Sequence, residues 1–351
     1  YYIETIQYHN TIMRLPLLLV FCTILLSSAC QRIPAPEVVE TEPEPMEVDY
    51  ILDTSQTHNK FSAAIPPILT VPSGSVIEVH TKDASDGQFD ANSTAETAAT
   101  LDFEPIHPLT GPVYVEGAEV GDILAVTLHS IEIGNMGWSA IIPGFGFLSD
   151  EFTEPYVKMY AFEEGDTYAT FSDGIRIPLK PFPGVMGVAP ATDSMLSTIP
   201  PRKNGGNMDD PHMVEGTTVY FPVLVSGALF SMGDTHAAQG LGEVCGTAIE
   251  APMRIVYEVN VIKDRPYVQE PQYETDTYYA VTGFAPTIDG AARKATRYMI
   301  DYLEAVRGMG RNDAYVLASL AADLHIAEVV DVPHMLVTMH IDKDIFVRPD
   351  Q

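Results

Sequence analysis

From about Ile51 onward, apolar and polar residues alternate in short runs broken by Gly, Pro and Asp. Examples are ILTVPSGSVIEVH (68–80), VYVEGAEVGDILAVTLHSIEI (113–133), TVYFPVLVSGALFSMGD (218–234) and IEAPMRIVYEVNVI (249–262). A period of two with turn residues between runs predicts strands. PSGS and EVGD read as tight turns, in which Gly supplies a positive φ. A helical period enters only late. Between Gly290 and Val306, Ala292, Ala295, Met299, Leu303 and Val306 recur at steps of three and four, and Gly308 stands where a helix would stop. A second helix is predicted from about Asn312 to Leu324, capped by Asn312 or Asp313, with Val316, Leu317, Leu320 and Leu324 as its apolar stripe. Strands return at IAEVVDV and HMLVTMHI. The pattern predicts a β-rich α+β fold, with sandwich- or barrel-like strands and a smaller helix-containing part near the C-terminus. Residues 51–351 suffice for one large core or two packed subdomains.

The first fifty residues have a different pattern. Met13 and Arg14 precede an apolar run from Leu15 to Ala29, followed at once by Cys30. The run falls short of the roughly 20 residues a membrane-spanning helix needs. A positive start, a short apolar stretch and small residues before the cut predict a secretory signal. LSSAC resembles a bacterial lipobox, with Ser27 where Leu is usual, so Cys30 is expected to carry the lipid anchor. An ordinary signal peptide is the alternative. Residues 1–12 precede a plausible start methionine and are expected not to belong to the natural protein. From residue 30 to Tyr50 the chain is proline-rich and acidic, and predicts an extended tether. The expected destination is the bacterial cell envelope, anchored at Cys30, or otherwise the periplasm or medium.

Composition narrows the function. With 46% apolar residues among 351, disorder of the whole chain is excluded. Against 48 acidic residues stand 19 Lys and Arg, a formal net charge of −29. Such a surface repels phosphate backbones and anionic headgroups, which argues against nucleic acid and electrostatic membrane binding and suits cations or small neutral substrates. Of the cysteines Cys22, Cys30 and Cys245, the first would leave with the signal, so no intramolecular disulfide is expected. No glycine-rich phosphate loop, GxSxG elbow or serine-amidase stretch is present. A homo-oligomer is expected because two-fold assemblies are common.

The densest polar stretch is GDTHAAQGLGEVCGTAIE (233–250), directly after a strand-like run. Asp234 and His236 are two apart, so an extended chain points both to one face. A carboxylate and an imidazole so placed are first-row metal ligands, zinc the commonest. Glu243, Glu250 and Gln239 add polar groups nearby. By spacing alone, an exposed capped loop accounts for this stretch as well as a metal site does. Asp209 lies in NGGNMDD, which read by itself is an Asn-Gly turn. HTKDASDGQ carries Asp83 and Asp86, of which Asp83 reads as part of a solvated acidic loop, and His107 in HPLTGP reads as a turn residue. Cys245 reads as a small buried thiol before a nucleophile, because no base can be assigned to it.

Four stretches together, HPLTGPVYVEGAEVGDILAV (107–126), PFPGVMGVAPA (181–191), GGNMD (205–209) and the 233–250 stretch, resemble the acetamidase/formamidase family, in the same order over about residues 55–345. ADLHIAEVVD (322–331) is similar too. The resemblance implies a β-rich, metal-dependent enzyme that hydrolyses a short-chain linear amide to the carboxylic acid and ammonia. It implies Asp209, Asp234 and His236 as ligands of a divalent metal, zinc or alternatively calcium. Glu250 is implied as the acid/base carboxylate, with Glu243 as its substitute, and Asp86, His107 and Gln239 as site neighbours. Amide hydrolysis needs an activated water, a proton carrier for the departing nitrogen and a donor for the oxyanion. Backbone amides of the 205–206 or 240–242 turns could supply that donor, inside a small, mostly apolar pocket. Leu241 stands where the family often has an acid, and an exported form is not the usual one. Two other readings follow: a lipid-anchored binding protein with a structural ion, and a cysteine amidase using Cys245.

Overall fold

The computed structural model describes residues 46–347; the signal, Cys30, the first twelve residues and most of the predicted tether lie outside the described residues. Among the described residues, a nine-stranded sheet runs in the order Tyr50–Leu52, Ser75–His80, Met253–Ile262, Ile123–Ile133, Thr218–Pro222, Gln272–Glu274, Tyr278–Ala285, Met335–Asp342 and Ala322–Glu328. A second sheet is built on Phe230–Ala238. On one side this strand pairs with Phe182–Gly187, which also pairs with Gly205–Asn207. On the other it pairs with Leu109–Val115 along its first half and Ile249–Glu250 along its second. Met136–Ile141 and Tyr156–Ala161 continue the sheet beyond Ile249–Glu250.

The period of two explains the layering. In Ile123–Ile133, Leu124, Val126 and Leu128 face the core between the sheets, where they meet Val113, Val115, Met186, Phe230 and Met232. Ile123 and Ala125 face the other way, toward Ala291, Ala295, Met299 and Leu303 of the helix Ile288–Arg307. Each fully buried aliphatic chain contributes about 1.5–3 kcal/mol. The result is three layers: sheet, sheet and helices. The predicted turns form as expected, with Gly74 at φ 93° and Gly121 at φ 98°.

The first helix begins at a Thr287 side chain that accepts from the Gly290 amide, and ends on Gly308 at φ 65°. Val306, expected in its stripe, is exposed because it lies in the last turn. The second helix departs further from its pattern. It spans Arg311–Ala321 with Gly310 at its N-cap, and the chain is extended again from Ala322. Ala314 and Ala318 are its buried residues, whereas Val316, Leu320 and Leu324 are exposed. Small side chains four apart line the packed face. Leu324 has been taken by strand pairing, opposite Met339.

Candidate active site

Asp234 and His236 lie inside the strand Phe230–Ala238, not in a loop after it. Pairing sets His236 opposite Phe182 on one side and Glu250 on the other. Asp209 arrives two residues after the short strand Gly205–Asn207, and its backbone takes φ 42°. Room for this approach depends on Gly184: a Cβ there would stand 2.4 Å from Asp209 Oδ1 and 2.7 Å from His236 Cε1. Glu243 sits in a loop clamped to the first sheet's edge, where Gly242 N donates to Ala327 O at 2.7 Å and Val329 N donates to Gly242 O at 3.2 Å. Asp209, Asp234 and Glu243 all have left-handed backbones, at φ 42°, 49° and 44°. Strain of this kind gathers at functional sites.

His236 is the hub. Its Nε2 is 3.1 Å from Glu250 Oε2 and 3.4 Å from Asp234 Oδ1. On the other edge, Nδ1 is 2.7 Å from Gln239 Oε1 and 3.7 Å from Asp209 Oδ1. Gln239 donates its amide to Asp209 O at 2.7 Å, so the oxygen it turns to His236 is an acceptor and Nδ1 carries the hydrogen. Two donor triplets result, each with its atoms within 4.8 Å of one another: Asp234–His236–Glu250 and Asp209–His236–Glu243.

Burial and mutual repulsion set the charges. Burial pushes Asp209 up to about 7, against the pull of His236. Glu243 is held well above the carboxylate range by burial and by the negative charge of Asp209, and burial likewise raises Glu250. Burial also opposes the ionisation of Asp234, yet the imidazoles of His107 and His236 hold it below the usual value. Burial works against the charge on His236 too, but Glu250 and Asp234 keep its proton well above the imidazole range. Among the described residues no lysine or arginine lines this cavity. Both Asp209 carboxylate oxygens and Glu250 Oε2 are buried without a hydrogen-bond donor. Buried anions without donors are costly, and one more positive charge relieves them. The donor set therefore fits a divalent cation.

The cavity is about 40 Å³. Leu101, Phe103, Ile106, Ile142, Phe145 and Ile199 form its apolar walls. Trp138 adds an indole stacked on Phe89, with centroids 3.9 Å apart, and fixed by a 3.0 Å hydrogen bond from Nε1 to Asp83 Oδ1. Asp83 is thus a buried support, not a solvated loop residue, because Ser85 N, Gly87 N and Trp138 Nε1 all donate to it. His107 lines the cavity, with Nε2 3.7 Å from Asp234 Oδ2. Burial holds it neutral.

Several expectations are corrected. Asp86 lies on the surface, paired with Lys82 at 2.6 Å, and does not line the cavity. Cys245 is exposed and lies outside the cavity; its sulfur contacts Ala140 O, Thr247 O and Thr247 Oγ1, with no base beside it. Two of the expected oxyanion donors are already committed, since Gly205 N donates to Arg202 O and Gly242 N to Ala327 O. The Asn204–Gly205 turn forms, with Gly205 N donating to Arg202 O and Arg202 N to Gly205 O, but Asp209 lies beyond it and is buried.

Asn207, Glu328 and Asp331 escaped the motif reading. Asn207 donates to Asp331 Oδ2 at 2.6 Å, and both line the cavity. Glu328 Oε2 accepts from Val330 N and Asp331 N, and burial pushes its carboxyl up to about 8. No spacing links residues 207 and 331; the resemblance of the 322–331 stretch was the single available signal.

The acetamidase/formamidase family matches residues 46–197 and again 191–348. A formamidase of Methylophilus methylotrophus is 30% identical over 84% of this chain and 91% of its own length. The acetamidase of Bacillus halodurans superposes with a TM-score of 0.79 at 33% identity, over 84% of this chain and 98% of that one. A predicted acetamidase/formamidase of Thermoanaerobacter tengcongensis superposes with a TM-score of 0.79 at 32% identity, over 84% and 96% respectively. Matched over nearly all of its described length, the chain belongs to the acetamidase/formamidase family of amidohydrolases.

Proposed function

We propose that the chain hydrolyses a short-chain linear amide of the formamide or acetamide kind to its acid and ammonia, in a metal-dependent reaction. The observation that carries this is a cavity of about 40 Å³ whose floor is unpaired carboxylate around one imidazole and whose walls are apolar. Since Nδ1 of His236 is engaged by Gln239, Nε2 is the ligand nitrogen, and Asp234, His236 and Glu250 would hold the ion. A nitrogen ligand favours zinc over calcium. When bound, the cation supplies a lowered water pKa and draws charge from the amide carbonyl.

The remaining roles fall to side chains on the far edge of His236. Asp209, with both oxygens free and a proton affinity centred at about 7, takes the proton of the attacking water and returns it to the leaving nitrogen. This exchanges the roles of Asp209 and Glu250 implied by the motifs. Glu243, whose ionisation is opposed by burial and by Asp209, lies within reach of Asp209 and His236 and completes the carboxylate group. Neutral His107 orients the amide at the wall. Phe103, Phe145 and Trp138 exclude bulk water and longer acyl groups.

Ammonia release from formamide and acetamide by purified protein is the test, with metal content measured alongside. Glu250→Gln is expected to lose both metal and activity, and Asp209→Asn activity alone, by about 10²–10⁴-fold. Full activity after chelation would remove the metal from the scheme, and metal loss in Asp209→Asn with retention in Glu250→Gln would reverse the assignment. The export reading extends the proposal to the cell envelope: lipid labelling should depend on Cys30 and vanish in Cys30→Ser.

A further inference from the structure

Outside the cavity, three imidazoles meet at the edge of the first sheet. His325 lies on the edge strand opposite Thr338, and His340 lies two residues beyond Thr338 on the neighbouring strand. Cross-strand partners and their second neighbours share a face, so both rings project to one side. His212 reaches them from the turn after Asp209. Ring centroids are 5.1 Å apart for His212 and His325, 4.5 Å for His212 and His340, and 4.3 Å for His325 and His340. One nitrogen from each ring lies within 4.8 Å of the others.

Hydrogen bonds decide which nitrogens are free. The buried carboxylate of Asp210 stands 2.8 Å from His212 Nδ1, so that nitrogen carries the hydrogen and the lone pair is at Nε2. The Tyr273 hydroxyl donates to the other oxygen of Asp210. Its own oxygen therefore accepts from His340 Nε2 at 2.7 Å, which leaves the His340 lone pair at Nδ1. His325 Nδ1 is buried with no partner. Tyr278 stacks on His340 with centroids 4.8 Å apart and holds that ring in place. A carboxylate behind an imidazole is the support that orients metal-bound histidines. His212 and His325 are half-buried, so one side of the group is open to water.

The geometry points to a second divalent-cation site formed by His212, His325 and His340, oriented by Asp210 and Tyr273, with water at the open position. Three neutral imidazoles suit zinc, copper or nickel, whereas magnesium and calcium take oxygen ligands. An ion there ties the turn that follows Asp209 to the hairpin at the sheet edge. The site shares no side chain with the cavity, so it stands whether or not the catalytic roles above hold.

Cobalt(II) is the probe, since its visible absorption reports nitrogen ligands and its stoichiometry can be counted on the full chain. In a His236→Ala background one cobalt equivalent is expected to remain, and adding His325→Ala or His340→Gln should remove it together with its visible bands. Zinc should raise the melting temperature of the His236→Ala chain and leave the double variants unmoved. Retention of the same equivalent and spectrum in both double variants would overturn the site. If His236→Ala does not fold, wild type against His325→Ala gives the same decision: the count falls by one, or the inference fails. Ammonia release by His325→Ala is expected to match wild type.

Discussion

The helical layer and the acidic cavity lie in one molecule but follow opposite rules. In the first, alternating strand residues meet Ala291, Ala295, Met299 and Leu303, and the helix is closed by Thr287 and Gly308 in their favoured conformations. Every local preference agrees with the packing. In the second, three acidic residues have left-handed backbones, and Asp209, Glu250 and Glu328 each keep a buried oxygen without a donor. Left-handed backbone at a non-glycine residue costs on the order of 1 kcal/mol. The contrast teaches that the layer is there for stability and that the cavity is held in place at the expense of the rest.

The largest effect that would sharpen this contrast is on rate. Glu250→Gln should lower amide turnover by at least about 10³-fold while leaving thermal unfolding within a few degrees of the metal-free wild type. Leu303→Ala should do the converse. It is expected to cost about 2–5 kcal/mol in urea unfolding, with turnover per folded molecule unchanged. A rate loss in Leu303→Ala that exceeds its unfolded fraction would break the separation of the two regions. Gly184→Ala joins them, because its methyl group would meet Asp209 and His236. It should lower metal affinity or turnover by about 10–100-fold, as loss of a supporting contact does.

A smaller effect concerns pH. Asp209 at about 7 and Glu328 at about 8 bind protons in the folded chain that the unfolded chain has already released. Metal-free stability should therefore be greatest below about pH 4 for these groups and decline as pH rises through about pH 8. A saturating divalent ion should flatten that decline, which urea titrations with and without chelator would show. Stability of the metal-free chain that rises over the same range would contradict the buried charges. The smallest effect is none: Cys245→Ala should hydrolyse amide at the wild-type rate, and its inactivity would restore the cysteine reading.

Legibility of the sequence tracked locality. Strand-forming runs and the first helix follow from neighbours within a turn or two, and Asp234 and His236 share a face because any extended chain places them so. The second helix misled because Val316, Leu320 and Leu324 have helical spacing while alanines make the contact. Asp83 and Asp86 look alike in sequence; the indole of Trp138, 55 positions away, joins the Ser85 and Gly87 amides in holding Asp83 inward.

By itself, then, the sequence determined a β-rich chain with late helices and an acidic, imidazole-bearing strand, since periodicity and turn chemistry act over a few residues. Tertiary structure decided that Asp209 and Glu243 meet at His236, that Glu328 and Asp331 gather beside Asp209, and that His212, His325 and His340 face one another. Those meetings depend on strand register and sheet order, and no local pattern encodes the partner a strand will choose.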